Sequence, residues 1–216
     1  VVYRLLELDA VTGTVRTIIE EKNAKYVNYN RLYRHDFKDG RRILWTSERD
    51  GRNHIYLYDR QEAKLVHQVT KGEFYVREIQ HVDEKTGVVY FSANGMNKTE
   101  DPYLIHYYRI GLNGKNLVCL TPEEGHHEAV FTDDMQYLID TYSTIQTPPV
   151  TVLRHVKDGK LLRTLERADI TRLKAEGGQA PEVFVAAGRD GVTPMWGIIM
   201  RPSNFDPTKK YPIIEY

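Results

Sequence analysis

Residues 43–59 read Ile-Leu-Trp-Thr-Ser-Glu-Arg-Asp-Gly-Arg-Asn-His-Ile-Tyr-Leu-Tyr-Asp, and this stretch decides the fold. Ile43 to Thr46 is apolar and rich in β-forming residues, whereas Ser47 to Gly51 is polar and closes on Asp50-Gly51. An Asp-Gly pair tolerates the positive φ that a tight turn demands, so the chain is expected to reverse there. Side chains alternate between faces along a strand. That places His54, Tyr56 and Tyr58 on one face of the second strand, and Ile55 and Leu57 on the other.

Looser copies of this hairpin recur in both directions. Upstream, residues 1–9 and 14–19 pair across a turn, a polar Glu20-Glu21-Lys22-Asn23 link follows, and residues 31–37 form a strand ended by Lys38-Asp39-Gly40. Downstream, residues 54–59 turn into 65–70. The pattern then returns as 76–82, 88–92, 103–110 and 116–121, and again as 128–132, 136–142, 150–156 and 160–166. The polar residues closing successive units, Glu20, Thr70, Thr121 and Glu166, stand 50, 51 and 45 positions apart. Four strands per repeat at this period is the spacing of β-propeller blades. No unit carries a Trp-Asp or kelch signature, and a meandering β-sandwich is the alternative, although its strands need no such even spacing. The expected architecture is mainly β: a partial β-propeller with about three full blades of four antiparallel strands and the closing strands of an earlier one. Closed rings hold roughly 4 to 8 blades, so an arc of this size leaves apolar end faces in need of cover.

After Glu166 the pattern changes. Asp169 is placed to N-cap a short helix over residues 170–176, which Gly177-Gly178 would end. Residues 182–187 and 195–201 read as strands, a loop spans 202–210, and residues 211–216 read as the start of a buried strand in another sheet. A domain boundary is expected near 168–181. The chain begins and finishes in strand-like patterns, as expected of a portion of a longer polypeptide.

Lys plus Arg and Asp plus Glu stand at 30 each in 216 residues, so no long-range field draws in nucleic acid. No stretch approaches the roughly 20 apolar residues of a membrane helix, and no signal-peptide pattern opens the chain. Cys119, the only cysteine, lies between Val118 and Leu120 and reads as a small buried hydrophobe. His127-Glu128 lacks the second His of a helical zinc motif, and there is no Cys pair, nucleophile elbow, P-loop or dinucleotide fingerprint. No metal, cofactor or catalytic residue is therefore expected in this chain. The carboxylate pairs Glu20-Glu21, Glu123-Glu124 and Asp133-Asp134 read as solvated charge in links and turns. The hairpin tip Ser47-Glu48-Arg49-Asp50 supports two readings: an exposed turn with weak internal ion pairs of about 0–1 kcal/mol, or a substrate-facing or interface loop.

Residues 45–51 with His54-Ile55-Tyr56 resemble a late-blade motif of dipeptidyl peptidase IV and its bacterial relatives, in the prolyl oligopeptidase family of serine peptidases. The tail, Met195-Trp-Gly-Ile-Ile-Met-Arg-Pro202 followed by Asn204-Phe-Asp-Pro207 and Lys209-Lys-Tyr-Pro-Ile-Ile214, resembles that family's passage into its α/β-hydrolase domain. The resemblance implies propeller blades over 1–167, then a linker helix and the first strands of the peptidase domain over 168–216. It implies a parent exopeptidase that releases Xaa-Pro or Xaa-Ala dipeptides from peptide N-termini, the propeller gating access. The family's Ser-Asp-His triad lies after the point where this chain stops, and its substrate-holding Glu pair before the point where it begins. Glu123-Glu124, in the context Thr-Pro-Glu-Glu-Gly, does not match that pair, so this chain alone is expected to be inert. Tyr29 and Arg31 align with a loop that borders the family's substrate pocket. The partners implied are a peptide substrate and, since relatives are often dimeric, a second copy of the protein; relatives often act outside the cytoplasm, in bacteria in the periplasm. A non-catalytic propeller scaffold and an acylaminoacyl-peptidase or oligopeptidase relative stay open as alternatives.

Overall fold

The structure, a computed structural model, describes residues 1–215. It forms five antiparallel sheets. Strands β1 (Val2–Leu8) and β2 (Val15–Lys22) make a two-stranded sheet. Three four-stranded sheets follow in strict up-and-down order. The first holds β3 (Arg34–Asp36), β4 (Arg42–Ser47), β5 (His54–Asp59) and β6 (Lys64–Gln68). The second holds β7 (Tyr75–Asp83), β8 (Val88–Asn94), β9 (Ile105–Gly111) and β10 (Val118–Cys119). The third holds β11 (His126–Phe131), β12 (Tyr137–Ser143), β13 (Val150–His155) and β14 (Leu161–Arg167).

The central hairpin forms in the expected register, with Trp45 opposite Tyr56 and Ser47 opposite His54. Both faces of β5 are buried, each against a different neighbour. Tyr56 and Tyr58 pack with Trp45, Ile43, Ile18 and Ile19 toward the two-stranded sheet. Ile55 and Leu57 pack with Val76, Val89 and Phe91 toward the second four-stranded sheet. A third cluster joins Tyr90 and Leu120 to Leu138 and Val156 of the next sheet. Apolar layers between successive sheets are what blades packed face to face produce, and a two-layer sandwich would have only one such layer.

The repeat extends to individual hydrogen bonds. The Thr70 hydroxyl accepts from the Ile55 backbone N–H at 2.9 Å, and Thr121 does the same for Tyr107 at 2.9 Å. Both threonines are buried and lock the fourth strand of a blade onto the third. Glu20 and Glu166, the other residues of the spacing pattern, are exposed and make no such lock. The spacing therefore has a structural cause in the two middle units alone.

Up-and-down order puts the start of each first strand, the turn between second and third strands, and the end of the fourth strand at one rim of the blade. Bonds between neighbouring blades respect this. Asn53, in the turn after β4, donates its amide to Val76 O at 2.8 Å and accepts the Val76 N–H at 2.9 Å, at the start of β7.

Several expectations need correction. Of the strand expected over 31–37, only Arg34–Asp36 forms, as β3, and Arg31 instead ends a 3₁₀ turn over Tyr29–Arg31. The Tyr33 N–H is taken by the Thr46 hydroxyl at 2.7 Å instead of a ladder carbonyl, which ends the pairing there. The polar link after residue 19 is strand, since β2 runs through Lys22. The helix is α1 (Thr171–Ala175), with Asp169 accepting from the Thr171 N–H at 2.8 Å just outside it. Strands β15 (Glu182–Ala187) and β16 (Pro194–Ile199) form a separate hairpin outside the blades. Residues 211–215 adopt no strand, because no neighbour offers them a ladder; Ile213 and Ile214 are exposed, and Tyr216 lies outside the described residues.

Candidate functional site at the blade rim

Glu21 organises the hairpin tip. Its side chain is 7 % exposed, and it accepts from Trp45 Nε1 at 2.8 Å and from the Ser47 hydroxyl at 2.8 Å. The Arg49 guanidinium completes the cage by pairing with Glu21 and bonding the Tyr58 hydroxyl. It also lies over the Tyr56 ring at 4.6 Å. Burial works against the Arg49 charge, but the Glu21 carboxylate and the Tyr58 oxygen together outweigh it and hold the guanidinium above its ordinary pKa. Glu21 is therefore not solvated charge, whereas Glu20 is exposed as read. At the tip Arg49 and Asp50 are exposed, but the ion pair of Arg49 is made with Glu21 of β2 rather than inside the turn. Ser47 is fully buried and accepts from Arg49 Nε at 3.0 Å, and the remaining partners of Arg49 come from β2 and β5. The missed signal is periodicity: once β2 is carried past Ile19, Glu21 falls on the same inward face.

The rest of the tip bonds within its own blade through Asp50 and across to the next blade through Glu48. Asp50 accepts from Gln68 Nε2 at 2.7 Å, and burial is overcome there, leaving its carboxyl below the usual range. Glu48 accepts the hydroxyl proton of Tyr75, the first residue of β7. Burial first, then this carboxylate, push the Tyr75 hydroxyl up from 10.0 to about 12. A phenol protonated more firmly in the folded state stabilises the fold at all pH values below the unfolded pKa, and this contribution is lost as pH rises through the folded one. The melting midpoint should therefore decline between about pH 10 and 12, and Tyr75→Phe should make that decline shallower. A slope unchanged by Tyr75→Phe would show that the Glu48 contact does not hold the proton.

Two of the residues singled out from the sequence meet here. Arg31, from the 3₁₀ turn, lines one cleft with Glu48, Arg49 and Asn53. Tyr29 is exposed beside it and stacks on Tyr3 at 6.3 Å, which stacks on Trp45 at 6.2 Å. Arg31 and Asn53 also border a second, more open cleft with Arg77 and Glu78 of β7. The site lies at the rim defined above, between the two-stranded sheet and the first two blades.

A second polar network is buried between the later blades. Arg154, 1 % exposed, donates Nε to Asp140 at 2.8 Å and pairs with Glu123. Asp140 also bonds His127 Nδ1 at 2.8 Å, and His127 Nε2 bonds the Glu123 carbonyl at 2.8 Å. His106 lies against His127, ring centres 4.7 Å apart. Glu123, partly exposed, closes the edge of this network by pairing with buried Arg154, which its reading as solvated charge did not foresee, whereas Glu124, Asp133 and Asp134 are exposed as read. Cys119 is half-buried beside Tyr108, and burial pushes its thiol up.

A family profile described as the dipeptidyl peptidase IV (DPP IV) N-terminal region matches residues 2–149. The chain belongs to that family. A probable dipeptidyl-aminopeptidase B of Aspergillus oryzae is 29% identical over 170 residues, covering 76% of this chain and 18% of the relative. A dipeptidyl peptidase 4 of Arthroderma otae is 28% identical over 172 residues, covering 78% of this chain and 21% of the relative. The crystal structure of Porphyromonas gingivalis dipeptidyl peptidase 4 superposes with a TM-score of 0.74 at 26% identity, covering 97% of this chain and 29% of that one. The chain thus spans about a fifth of the length of the curated relatives it matches. The DPP IV family match covers the two-stranded sheet, both clefts and the first two blades. The structural likeness continues through the third blade and into the tail.

Proposed function

We propose that the protein carrying this chain is a serine-type dipeptidyl peptidase that releases Xaa-Pro or Xaa-Ala dipeptides from peptide N-termini. In this reading residues 1–167 are propeller blades that gate access, and residues 168–216 lead into the peptidase domain, where the serine–histidine–acid chemistry resides. This chain contributes binding surface and no catalytic group, and is inert alone.

One observation carries the reading beyond family membership. Gln146, in the turn between β12 and β13, donates its amide to Pro181 O of the tail at 3.4 Å. By strand order that turn belongs to the rim that bears Arg31, Glu48 and Arg77 on the earlier blades. The tail therefore returns to the rim of the candidate site, so a domain built on from it would face Tyr29, Arg31 and the tip residues Ser47 to Asp50. Their work there is to bind and orient a peptide: Arg31 offers donors to backbone carbonyls, and the Glu21–Arg49 pair fixes the tip that carries Glu48.

The test is turnover of a chromogenic Xaa-Pro substrate by the full-length protein, with and without a serine-reactive phosphonate. Dipeptide release abolished by the phosphonate is expected. A folded full-length sample that turns over neither Xaa-Pro nor Xaa-Ala substrate would overturn the proposal, as would activity from residues 1–216 alone.

A further inference from the structure

Arg31 and Arg77 come from different elements and face one cleft. Arg49 and Arg60 are paired with Glu21 and Glu7; among the described residues, Arg31 and Arg77 have no carboxylate in ion-pair range. Both act on Tyr75. Arg77 lies over the Tyr75 ring at 5.7 Å, and both guanidinium groups favour the phenolate of Tyr75, against the stronger opposing effects of burial and Glu48. Glu48, which borders the neighbouring cleft with Arg31, accepts the Tyr75 hydroxyl and lies outside ion-pair range of both arginines. The one carboxylate that borders this cleft, Glu78, follows Arg77 on β7, and the Gln80 amide lies 3.4 Å from it. The charged groups at the cleft thus sum to one net positive charge, set in a polar wall with Asn30 and Asn53.

A guanidinium is always charged and presents a planar fork of donors that fits a carboxylate in two-point fashion. Two of them without acidic partners in one concave wall form a receptor for an anion. We propose that Arg31 and Arg77 form a carboxylate subsite that binds an acidic group of the peptide substrate. This rests on the peptidase reading for the identity of the ligand, and on the cleft alone for its charge. The carboxylate has two sources, an Asp or Glu side chain or the C-terminus of a short peptide.

The experiment measures binding by the full-length protein, the serine-reactive phosphonate blocking turnover, of fluorescent pentapeptides in three forms. One carries Asp with an amidated C-terminus, one carries Asn with an amidated C-terminus, and one carries Asn with a free C-terminus. The Asp peptide is expected to bind about tenfold more tightly than its Asn counterpart, the factor a charge-assisted pair brings. Arg77→Gln and Arg31→Gln should each reduce that preference, with Arg77→Lys retaining part of it. The preference should also shrink as salt rises. A preference moved to the free-C-terminus peptide assigns the subsite to a peptide end rather than a side chain. Equal affinity for all three peptides overturns the subsite, as does a preference that survives both Gln variants in samples with unchanged melting midpoints. Because the readout is binding, absence of turnover bears on the peptidase proposal and leaves this one standing or falling on its own.

Discussion

Replacing Arg154 with Met is expected to lower the unfolding free energy by about 3–5 kcal/mol, the cost of leaving one member of a buried ion pair without its partner. Arg154 is 1 % exposed and Asp140 0 %, so water reaches neither when the pair is broken. Methionine fills comparable space, which makes the loss electrostatic rather than a cavity effect. Asp140 keeps His127 Nδ1 as a partner, but Glu123 loses its guanidinium and the Gly159 carbonyl loses the Arg154 Nη1 donor at 3.3 Å. The measurement is the urea midpoint of the purified protein. Adding Asp140→Asn removes the stranded charge while keeping an acceptor for His127, so the double variant should be less destabilised than Arg154→Met alone. Simple additivity of the two losses would show that the pair is not coupled.

The next largest effect is expected at Gly159, where alanine should cost about 2–5 kcal/mol. Its φ is +72°, which L side chains rarely adopt. A Cβ there would also lie 2.7 Å from Leu120 O and 2.8 Å from Leu120 Cα, backbone atoms of the preceding blade that cannot rotate away. Gly13 provides the control, having the same φ of +72° in the β1–β2 turn with nothing within 4 Å. Gly13→Ala should cost only the conformational part, about 1–2 kcal/mol. The difference between the two midpoints then measures how tightly the second and third blades are pressed together. If both variants shift alike, the close approach at Gly159 contributes nothing.

How much of this was legible beforehand varies from element to element. The blades were, because period-two alternation and turn pairs such as Asp50-Gly51 are local properties that fix where strands begin, reverse and end. The position of each charge was not. Glu21 and Arg154 are charged residues on faces that alternation marks as inward. The sequence reads Glu21 as solvated and marks nothing at Arg154, because nothing in one strand announces the partner waiting on another. Tyr29 and Arg31 were singled out by resemblance, and the structure adds Arg77, which no motif flagged. The strand expected at residues 211–215 failed for the complementary reason: its apolar residues are a real signal, but a strand exists only where a neighbour supplies the ladder.

By itself, the sequence determined the up-and-down blades, their order and the change of pattern after Glu166, since these follow from spacing along one chain. Only the tertiary structure decided which charges are buried, that Arg31 and Arg77 share a wall, and that the tail comes back to the rim they occupy. Those are properties of distance between segments far apart in the chain, set when apolar faces of neighbouring sheets close on each other and carry their polar edges into register.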